Sequence, residues 1–240
     1  MSNTDFSKKR IVIKLSGSNF SIDGANIKDS LSNYARMLSD VNDKYQPIVV
    51  AGGGITARTY IKIARGLGAD EANLDNIGIE VSRLNARLIM VALGDQAYPQ
   101  VPRNLEDVAI AASSGKIVVT GGLHPGQSTN ATSALIAETV KAARFLNATD
   151  VDGIYDSDPK INENAKLFKR ITINECMKIL GNENSMAGTY ELLDIVALKV
   201  IERSGISTMV IRSNVQNIRS AILSDGYTIG TEIIANHSQR

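Results

Sequence analysis

Two glycine-rich loops, each following a predicted β-strand, are the segments whose residue types point most directly to chemistry. In PIVVAGGGITAR, residues 47–58, an apolar run ends in three glycines and a helix-compatible stretch follows; KIVVTGGLHPGQ, residues 116–127, repeats the arrangement. Glycine lets the backbone approach a ligand closely, and the unpaired N–H groups at a helix start attract phosphate. We predict two anion-binding loops, for two phosphate-bearing ligands or for one ligand bound at both ends. For the first loop, the alternative is a tight turn without a ligand.

Two cationic side chains accompany the first loop. Lys14 interrupts the apolar strand RIVIKL just before a Ser-Gly pair, and Arg58 lies one helical turn past Gly54. A lysine at the end of a buried strand costs desolvation energy unless it meets an anion, and ligands of open α/β sheets bind at this end of the strands. An arginine at a helix start binds phosphate bidentately. The alternatives are a lysine that reaches water and a solvated arginine.

A third segment, TDVDGIYDSDPK at residues 149–160, is acidic and rich in turn-forming residues. Its carboxylates alternate as in a calcium loop, but the sixth position is not Gly and the twelfth is not Glu, so the full pattern fails. Two interpretations remain open. The segment is a polar turn, or it is a nucleoside pocket in which Tyr155 lies against a base or ribose.

Other nucleotide-binding patterns are absent or weak. The chain contains no G-x-x-x-x-G-K-[ST] motif, so a P-loop fold is disfavoured. Gly52, Gly54 and Ala57 match the loose G-x-G-x-x-A dinucleotide pattern, with Asp75 about 20 residues on. In that fold the acidic residue follows the next strand, whereas we place Asp75 at the head of a helix. A dehydrogenase is therefore disfavoured.

Composition excludes several classes of partner. Among 240 residues, 26 Lys and Arg nearly balance 25 Asp and Glu, so no strong net field favours nucleic acid or a membrane surface. One cysteine, Cys176, rules out an internal disulfide, and His124 and His237 are too few for a histidine metal site. No apolar run approaches the roughly 20 residues of a membrane span, and the start lacks a signal peptide's apolar region. We expect a soluble cytoplasmic protein.

Strand and helix patterns alternate along the whole chain. We predict strands at 10–15, 48–51, 117–120, 145–148, 208–211 and 227–234, and helices at 27–41, 55–66, 76–93, 128–142, 173–180, 190–203 and 218–223. Such alternation predicts an α/β fold, a three-layer α/β/α sandwich with a mostly parallel central sheet. We expect residues 1–240 to form one domain, with an N-lobe at about 1–142 and a C-lobe at about 143–240 that share the sheet. The helix at 76–93 is apolar almost all round, which predicts burial in the core or against another subunit.

Five segments, in order, resemble the amino acid kinase superfamily and, within it, most closely the uridylate (UMP) kinases of the archaeal type. The resemblance covers nearly the whole chain. The matching segments are IVIKLSGS at 11–18, VVAGGGITAR at 49–58, LDNIGIEVSRLNARL at 74–88, GGLHPGQST at 121–129 and TDVDGIYDSDP at 149–159.

The resemblance implies transfer of the ATP γ-phosphoryl group to UMP, giving UDP and ADP in pyrimidine nucleotide biosynthesis, with Mg²⁺ as cofactor. It identifies no metal ligands. It implies that Lys14 is catalytic and lies at the transferred group. The implied ATP-binding residues are Lys14, Leu15, Ser16, Gly17, Ser18, Gly54, Arg58, Thr149, Asp150, Tyr155 and Asp158. Those implied for UMP are Gly53, Asp75 (at the ribose), Leu123, His124, Pro125, Gly126, Gln127, Ser128 and Thr129. The family's assembly implies a homohexamer, a trimer of dimers, formed through the helix around residues 77–91.

Three positions depart from the family pattern. Asn130 stands where many members carry an aspartate that orders the catalytic lysines, and Asp150 stands where Asn or Lys is usual. Leu123 replaces a small polar residue, so only its backbone can bond UMP.

Three rival functions remain. An isopentenyl phosphate kinase carries a histidine after its glycine loop that is missing here, and an amino acid kinase needs groups for an α-amino acid that we cannot identify. A non-catalytic nucleotide-binding storage or regulatory protein is disfavoured because Lys14, Arg58 and both loops are intact.

Overall fold

The computed structural model describes residues 8–20, 27–181, 192–224 and 229–234. In these ranges seven strands form a single sheet: β1 (Lys9–Leu15), β2 (Tyr45–Ala51), β3 (Val118–Thr120), β4 (Arg144–Thr149), β5 (Arg170–Thr172), β6 (Thr208–Arg212) and β7 (Thr231–Ile234). The strand order is β3-β2-β1-β4-β6-β7-β5, and every pair is parallel except β6 with β7. The predicted mostly parallel sheet is confirmed.

Helices cover both faces of this sheet. Their bounds are α1 (Ile27–Val41), α2 (Gly54–Gly66), α3 (Glu71–Leu93), α4 (Leu105–Ser113), α5 (Thr129–Thr139), α6 (Ile173–Gly181), α7 (Ile195–Ser204) and α8 (Val215–Leu223). Helices α1, α3 and α8 contribute to one hydrophobic cluster, and α4 to α7 contribute to a second cluster on the opposite face. The three-layer α/β/α prediction is therefore confirmed. No described helix is both long and apolar enough to cross a membrane.

The central strand β1 positions the candidate site. Ile11, Ile13 and Leu15 belong to the cluster with α1, whereas Val12 belongs to the cluster with α5. Since side chains alternate along a strand, Lys14 points to the α5 face. Strands β2 and β3 follow β1 on one side of the sheet, and strands β6, β7 and β5 follow β4 on the other side. The chain order therefore reverses between β1 and β4, and ligands of open α/β sheets bind at the carboxyl ends of two strands that flank such a reversal.

Capping residues move two helix starts away from their predicted positions. Helix α3 begins at Glu71, before the predicted residue 76, because the Asp70 carboxylate accepts a hydrogen bond from the Asn73 amide at 2.8 Å. Asp75 therefore lies in the second turn of α3 and not at its head. Helix α7 was predicted from residue 190, but Asp194 caps it through the Ala197 amide at 2.8 Å, so the helix starts at Ile195.

Some elements were missed or overextended. The sequence interpretation missed α4 and β5, and extended α5 past Thr139 to residue 142. Strand β7 begins at Thr231, after the predicted residue 227; residues 190, 191, 227 and 228 lie outside the described ranges.

Within the single chain, helix α3 is buried on one side only, so burial in the core accounts for part of its apolar surface. Ile79, Val81 and Ile89 are buried, but Leu84, Leu88 and Val91 are 58%, 41% and 80% exposed. Their spacing of four and three residues places them on one side of the helix. An apolar stripe of α3 is thus left uncovered by the rest of the described chain.

Candidate active site

The turns that follow β1 and β2 touch through their backbones. A Cβ atom placed on Gly17 would lie 2.0 Å from the Gly54 nitrogen, and one placed on Gly54 would lie 2.2 Å from the Gly17 carbonyl oxygen. Gly54 also has φ +66°, in the left-handed region that favours glycine. The Gly52 amide donates to the Leu15 carbonyl at 3.0 Å. Two segments that were predicted separately therefore form one loop pair, which needs glycine at both positions.

The loop pair leaves the amino end of α2 open. Gly53 occupies the N-cap position of α2, and no side chain in the described ranges caps the helix. Its first N–H groups thus keep the partial positive charge that attracts an anion. Arg58 is exposed one turn further on. Among the predicted residues of the first loop, Ser16 and Gly53 are half-buried, and Ser18 is exposed.

Lys14 is buried beside this loop pair, with 8% of the residue exposed. Its neighbours in register are Val50 on β2 and Asn147 on β4. Asn147 is fully buried, and its amide nitrogen donates to the Leu192 carbonyl. Asn130, in the first turn of α5, is also buried. Lys14 thus lies in a poorly solvated part of the cleft. The buried side chains of the neighbouring elements include two neutral amides, those of Asn147 and Asn130.

The second glycine loop is fastened to α3. The Gly122 amide donates to Ser82 Oγ at 2.7 Å, and a Cβ atom on Gly121 would lie 2.5 Å from the same oxygen. Arg83 donates to the carbonyl oxygens of Gly122 at 3.1 Å and Leu123 at 3.3 Å. The backbone carbonyl of Leu123, a predicted UMP contact, is therefore already engaged by Arg83.

Helix α3 also holds the first loop, because Asn85 donates to the Gly52 carbonyl at 2.8 Å. One helix thus fixes the spacing between both glycine loops. The sequence analysis included this helix in the matching segment at 74–88 but assigned no role to Arg83 and Asn85. In the structure Asn85 is buried and Arg83 is mostly buried, which marks them as positioning side chains. The sequence alone shows only two polar residues among the several that this helix carries.

Asp75 reaches the second glycine loop. The Gly126 amide donates to Asp75 Oδ2 at 2.7 Å. His124 and Pro125 are exposed on the same turn, and Gln127 is half-buried. The structure therefore brings the carboxylate of α3 and the tip of the loop together.

Ser128 has its hydroxyl group fully committed. Its oxygen accepts hydrogen bonds from the amides of Asn130 at 3.1 Å and Ala131 at 3.0 Å, which caps α5, and its proton is donated to Asp194. Asp194 is also the N-cap of α7, so the amino ends of α5 and α7 lie next to each other. Thr129 begins α5 directly after this cap. The sequence interpretation did not single out Asp194.

The acidic segment after β4 is ordered by side-chain bonds to different partners. Lys160 pairs with Asp150 at 2.5 Å, and Arg212 pairs with Asp152 at 2.5 Å. Burial opposes ionisation of Asp150, but Lys160 outweighs it and lowers the pKa of Asp150. Arg212 lowers the pKa of Asp152 despite partial burial. Both carboxylates are consequently ionised at neutral pH.

Asp158 keeps an oxygen available for a ligand. Its Oδ1 accepts from the Lys160 amide at 2.9 Å, whereas Oδ2 is buried and has no hydrogen-bond partner among the described residues. Tyr155 is half-buried nearby in sequence, and Thr149, at the end of β4, is buried. A buried carboxylate oxygen without a donor is costly, which indicates a missing hydrogen-bond donor at this point.

A calcium or transition-metal site finds no support in the described ranges. No group of three His, Cys, Asp or Glu side chains there could hold a metal ion. Mg²⁺ differs, because it keeps several waters and binds mainly to substrate phosphates with few protein ligands.

Comparison with known proteins supports the resemblance to the amino acid kinase superfamily. The family model described as the amino acid kinase family matches residues 9–212. A uridylate kinase of Methanothermobacter thermautotrophicus is 45% identical over 226 residues, 94% of this chain and 99% of that protein. A uridylate kinase of Sulfurisphaera tokodaii is 46% identical over 202 residues, 84% of this chain and 88% of that protein.

Solved structures agree in fold. The crystal structure of a uridylate kinase from Archaeoglobus fulgidus has a TM-score of 0.82 at 37% identity, and the match covers 93% of this chain and 99% of that one. A UMP kinase from Ureaplasma parvum has a TM-score of 0.75 at 22% identity, and the match covers 95% of this chain and 99% of that one. At this identity the match supports the fold alone. The resemblance inferred from the motifs is confirmed: the chain belongs to the amino acid kinase family.

Proposed function

We propose that this chain is a uridylate kinase, which transfers the γ-phosphoryl group of ATP to UMP and releases UDP and ADP. The observation that carries the proposal is the contact between Gly17 and Gly54 beside the buried Lys14. Two phosphate-binding turns that touch can hold two phosphate groups end to end. The similarity to archaeal proteins named uridylate kinase then identifies the pair of substrates.

Phosphoryl transfer needs in-line positioning and neutralisation of charge more than covalent chemistry by the protein. The turn from Lys14 to Ser18, with Gly54 and Arg58, would hold the ATP phosphates. On the acceptor side, Gly53, Asp75 and the loop from Leu123 to Thr129 would hold UMP. The open amino end of α2 lies where the two sets meet.

Lys14 would supply the positive charge at the transferred group. Its burial strengthens this effect, because a charge acts more strongly where water is excluded. Asn130 and Asn147 are neutral, and Asn130 stands where many family members carry an aspartate. No general base is required, because the attacking phosphate oxygen of UMP is already ionised.

The adenosine of the donor would lie against the acidic segment. Thr149, Asp150, Tyr155 and Asp158 are the residues in question, and the buried Oδ2 atom of Asp158 would accept a hydrogen bond from a ribose hydroxyl or an amino group. Mg²⁺ would be held chiefly by the nucleotide phosphates and would neutralise their charge. In this proposal the acceptor lies on the side of the N-lobe, residues 1–142, and the adenosine of the donor on the side of the C-lobe, residues 143–240, while the ATP phosphates reach the glycine loops of the N-lobe.

The exposed stripe of α3 supports an oligomer. Leu84, Leu88 and Val91 would be covered by a second copy of the chain, as the first step toward a trimer of dimers. Analytical ultracentrifugation tests this part of the proposal. We expect the mass of six chains. A monomer would contradict the proposed assembly and would leave the proposed activity unaffected.

A coupled assay tests the activity itself. ADP release is measured with ATP, Mg²⁺ and one of four acceptors: UMP, CMP, isopentenyl phosphate or aspartate. We expect kcat/KM to be highest for UMP. Preference for isopentenyl phosphate or aspartate would identify one of the rival kinases, and no turnover with any acceptor would favour a non-catalytic nucleotide-binding protein.

A further inference from the structure

Arg212, the last residue of β6, joins two segments of the candidate donor site. Its Nε and Nη2 atoms donate to the two carboxylate oxygens of Asp152 at 2.5 and 3.1 Å. Its Nη1 atom donates to the backbone carbonyl of Asp150 at 3.1 Å. A guanidinium group has the planar fork that this pattern requires, and the ammonium group of a lysine does not. One side chain thus fixes both the carboxylate and the backbone of the segment after β4.

The contact continues from Asp152 to Tyr155. The Tyr155 hydroxyl donates to Asp152 Oδ2 at 3.3 Å, the oxygen that also accepts from Arg212 Nη2. Burial and the negative charge of Asp152 both raise the pKa of Tyr155, so this hydroxyl stays protonated and remains a donor. Arg212 is consequently connected to the Tyr155 ring through a single carboxylate.

The backbone before Tyr155 is held firmly. The Ser213 amide donates to the Thr149 carbonyl at 2.6 Å, and the Ile154 amide donates to Thr231 Oγ1 at 2.8 Å. A Cβ atom on Gly153 would lie 2.5 Å from the same Thr231 oxygen. The segment is therefore packed against both β6 and β7, and a change in the Arg212–Asp152 pair acts on the Tyr155 side chain more than on the fold.

We propose that Arg212 is a positioning residue of the donor nucleotide site, which orients Tyr155 through Asp152 and thereby sets the affinity for ATP. The proposal rests on the proposed kinase function and adds to it a residue that lies outside the matched family motifs. Arg212 itself makes no contact with the transferred group in this account. Its effect is expected on donor binding, with acceptor binding and the chemical step left nearly unchanged.

The first test compares Arg212→Met with Arg203→Met. Arg203 makes a similar bidentate ion pair with Glu138. This pair joins the carboxyl ends of α7 and α5, which precede strands β6 and β4 and so lie away from the carboxyl ends of the strands. We expect Arg212→Met to raise KM for ATP about five- to tenfold, with KM for UMP and kcat within twofold. Arg203→Met should leave all three constants within twofold. An unchanged KM for ATP in a folded Arg212→Met protein, or an equal rise in both KM values, would overturn the proposal.

The second test asks whether Arg212 acts through Tyr155. Tyr155→Phe removes the hydroxyl group that bonds Asp152, so the double variant should raise KM for ATP little more than either single change. If the two substitutions raise KM for ATP independently, so that their fold-changes multiply in the double variant, Arg212 does not act through Tyr155. Arg212→Lys, which keeps the charge and loses the fork, should resemble Arg212→Met.

Calorimetric titration with ATP separates this proposal from the proposed activity. The dissociation constant for ATP is measured for the wild-type chain and for each variant, without any acceptor. If wild-type protein binds ATP but transfers nothing to UMP, the activity is wrong, and the ratio of dissociation constants still decides the role of Arg212. Weaker ATP binding by Arg212→Met, with thermal unfolding like that of Arg203→Met, is the expected result.

Discussion

The glycine loop pair and the acidic segment lie at the same edge of the sheet, yet different interactions hold them. Gly17 and Gly54 meet through main-chain atoms, at a separation that no Cβ atom fits. Asp150 and Asp152 are held by Lys160 and Arg212, in ion pairs whose side chains are about half exposed. Backbone contact fixes a position to a fraction of an ångström, whereas an exposed ion pair contributes only about 0–1 kcal/mol. We therefore expect the first region to be intolerant of change and the second to be adjustable.

Lys14→Met should give the largest effect, because it removes the charge beside the loop pair and keeps the length of the side chain. We expect kcat to fall about 10²-fold or more, roughly 3 kcal/mol in activation free energy. Steady-state kinetics measure this loss. Lys62→Met, at an exposed position on α2, is the matched control. A kcat for Lys14→Met within a few-fold of the control would refute the role of Lys14.

Gly54→Ala tests the backbone contact directly. The added methyl group would lie 2.2 Å from the Gly17 carbonyl, at a φ of +66° that alanine rarely adopts, so the two turns must move apart. A displacement of about 1 Å at a reaction centre costs up to about 10²-fold in rate, and we expect a loss of that order in kcat/KM for UMP. Gly66→Ala lies at the end of the same helix, where no atom of the described residues comes within 4 Å of the Cβ position, and should keep full activity. Equal activities of the two variants would show that the contact is not needed.

The smallest effect concerns the acidic segment and pH. Arg212 lowers the pKa of Asp152 below its ordinary value of about 3.9, so this pair stabilises the fold fully above that pH. The contribution is lost as pH falls through the lowered pKa of the folded state. Asp152→Asn should therefore reduce the free energy of unfolding at pH 6 by less than about 1 kcal/mol, and by less still at pH 3. Urea unfolding at both pH values measures this difference, and an equal loss at pH 3 would contradict an electrostatic role.

The sequence predicted the glycine region well because its signals are local. Three glycines after an apolar run, and a lysine inside a buried strand, restrict the backbone and the environment by themselves. The capped starts of α3 and α7 were misplaced because Asp70 and Asp194 cap helices whose apolar pattern begins elsewhere. The three-residue strand β5 has too few residues for a clear period, and the nine-residue helix α4 was missed although α6 and α8, of the same length, were predicted.

The contacts that join distant segments were beyond sequence reasoning. Arg212 and Asp152 are 60 residues apart, and Ser128 and Asp194 are 66 apart. Each of these residues looks like an ordinary polar side chain near a strand or helix end until the sheet order is known. Ser82, Arg83 and Asn85 likewise reveal their role only when α3 is placed beside both glycine loops.

A crystal structure with UMP and a non-hydrolysable ATP analogue tests the central claim most directly. We predict that the UMP phosphate lies at the loop of residues 121–129 and the analogue's γ-phosphate beside the contact of Gly17 with Gly54. Lys14 Nζ should lie within about 2.7–3.2 Å of an oxygen of that γ-phosphate. UMP bound away from both glycine loops, or Lys14 turned away from both phosphates, would contradict it.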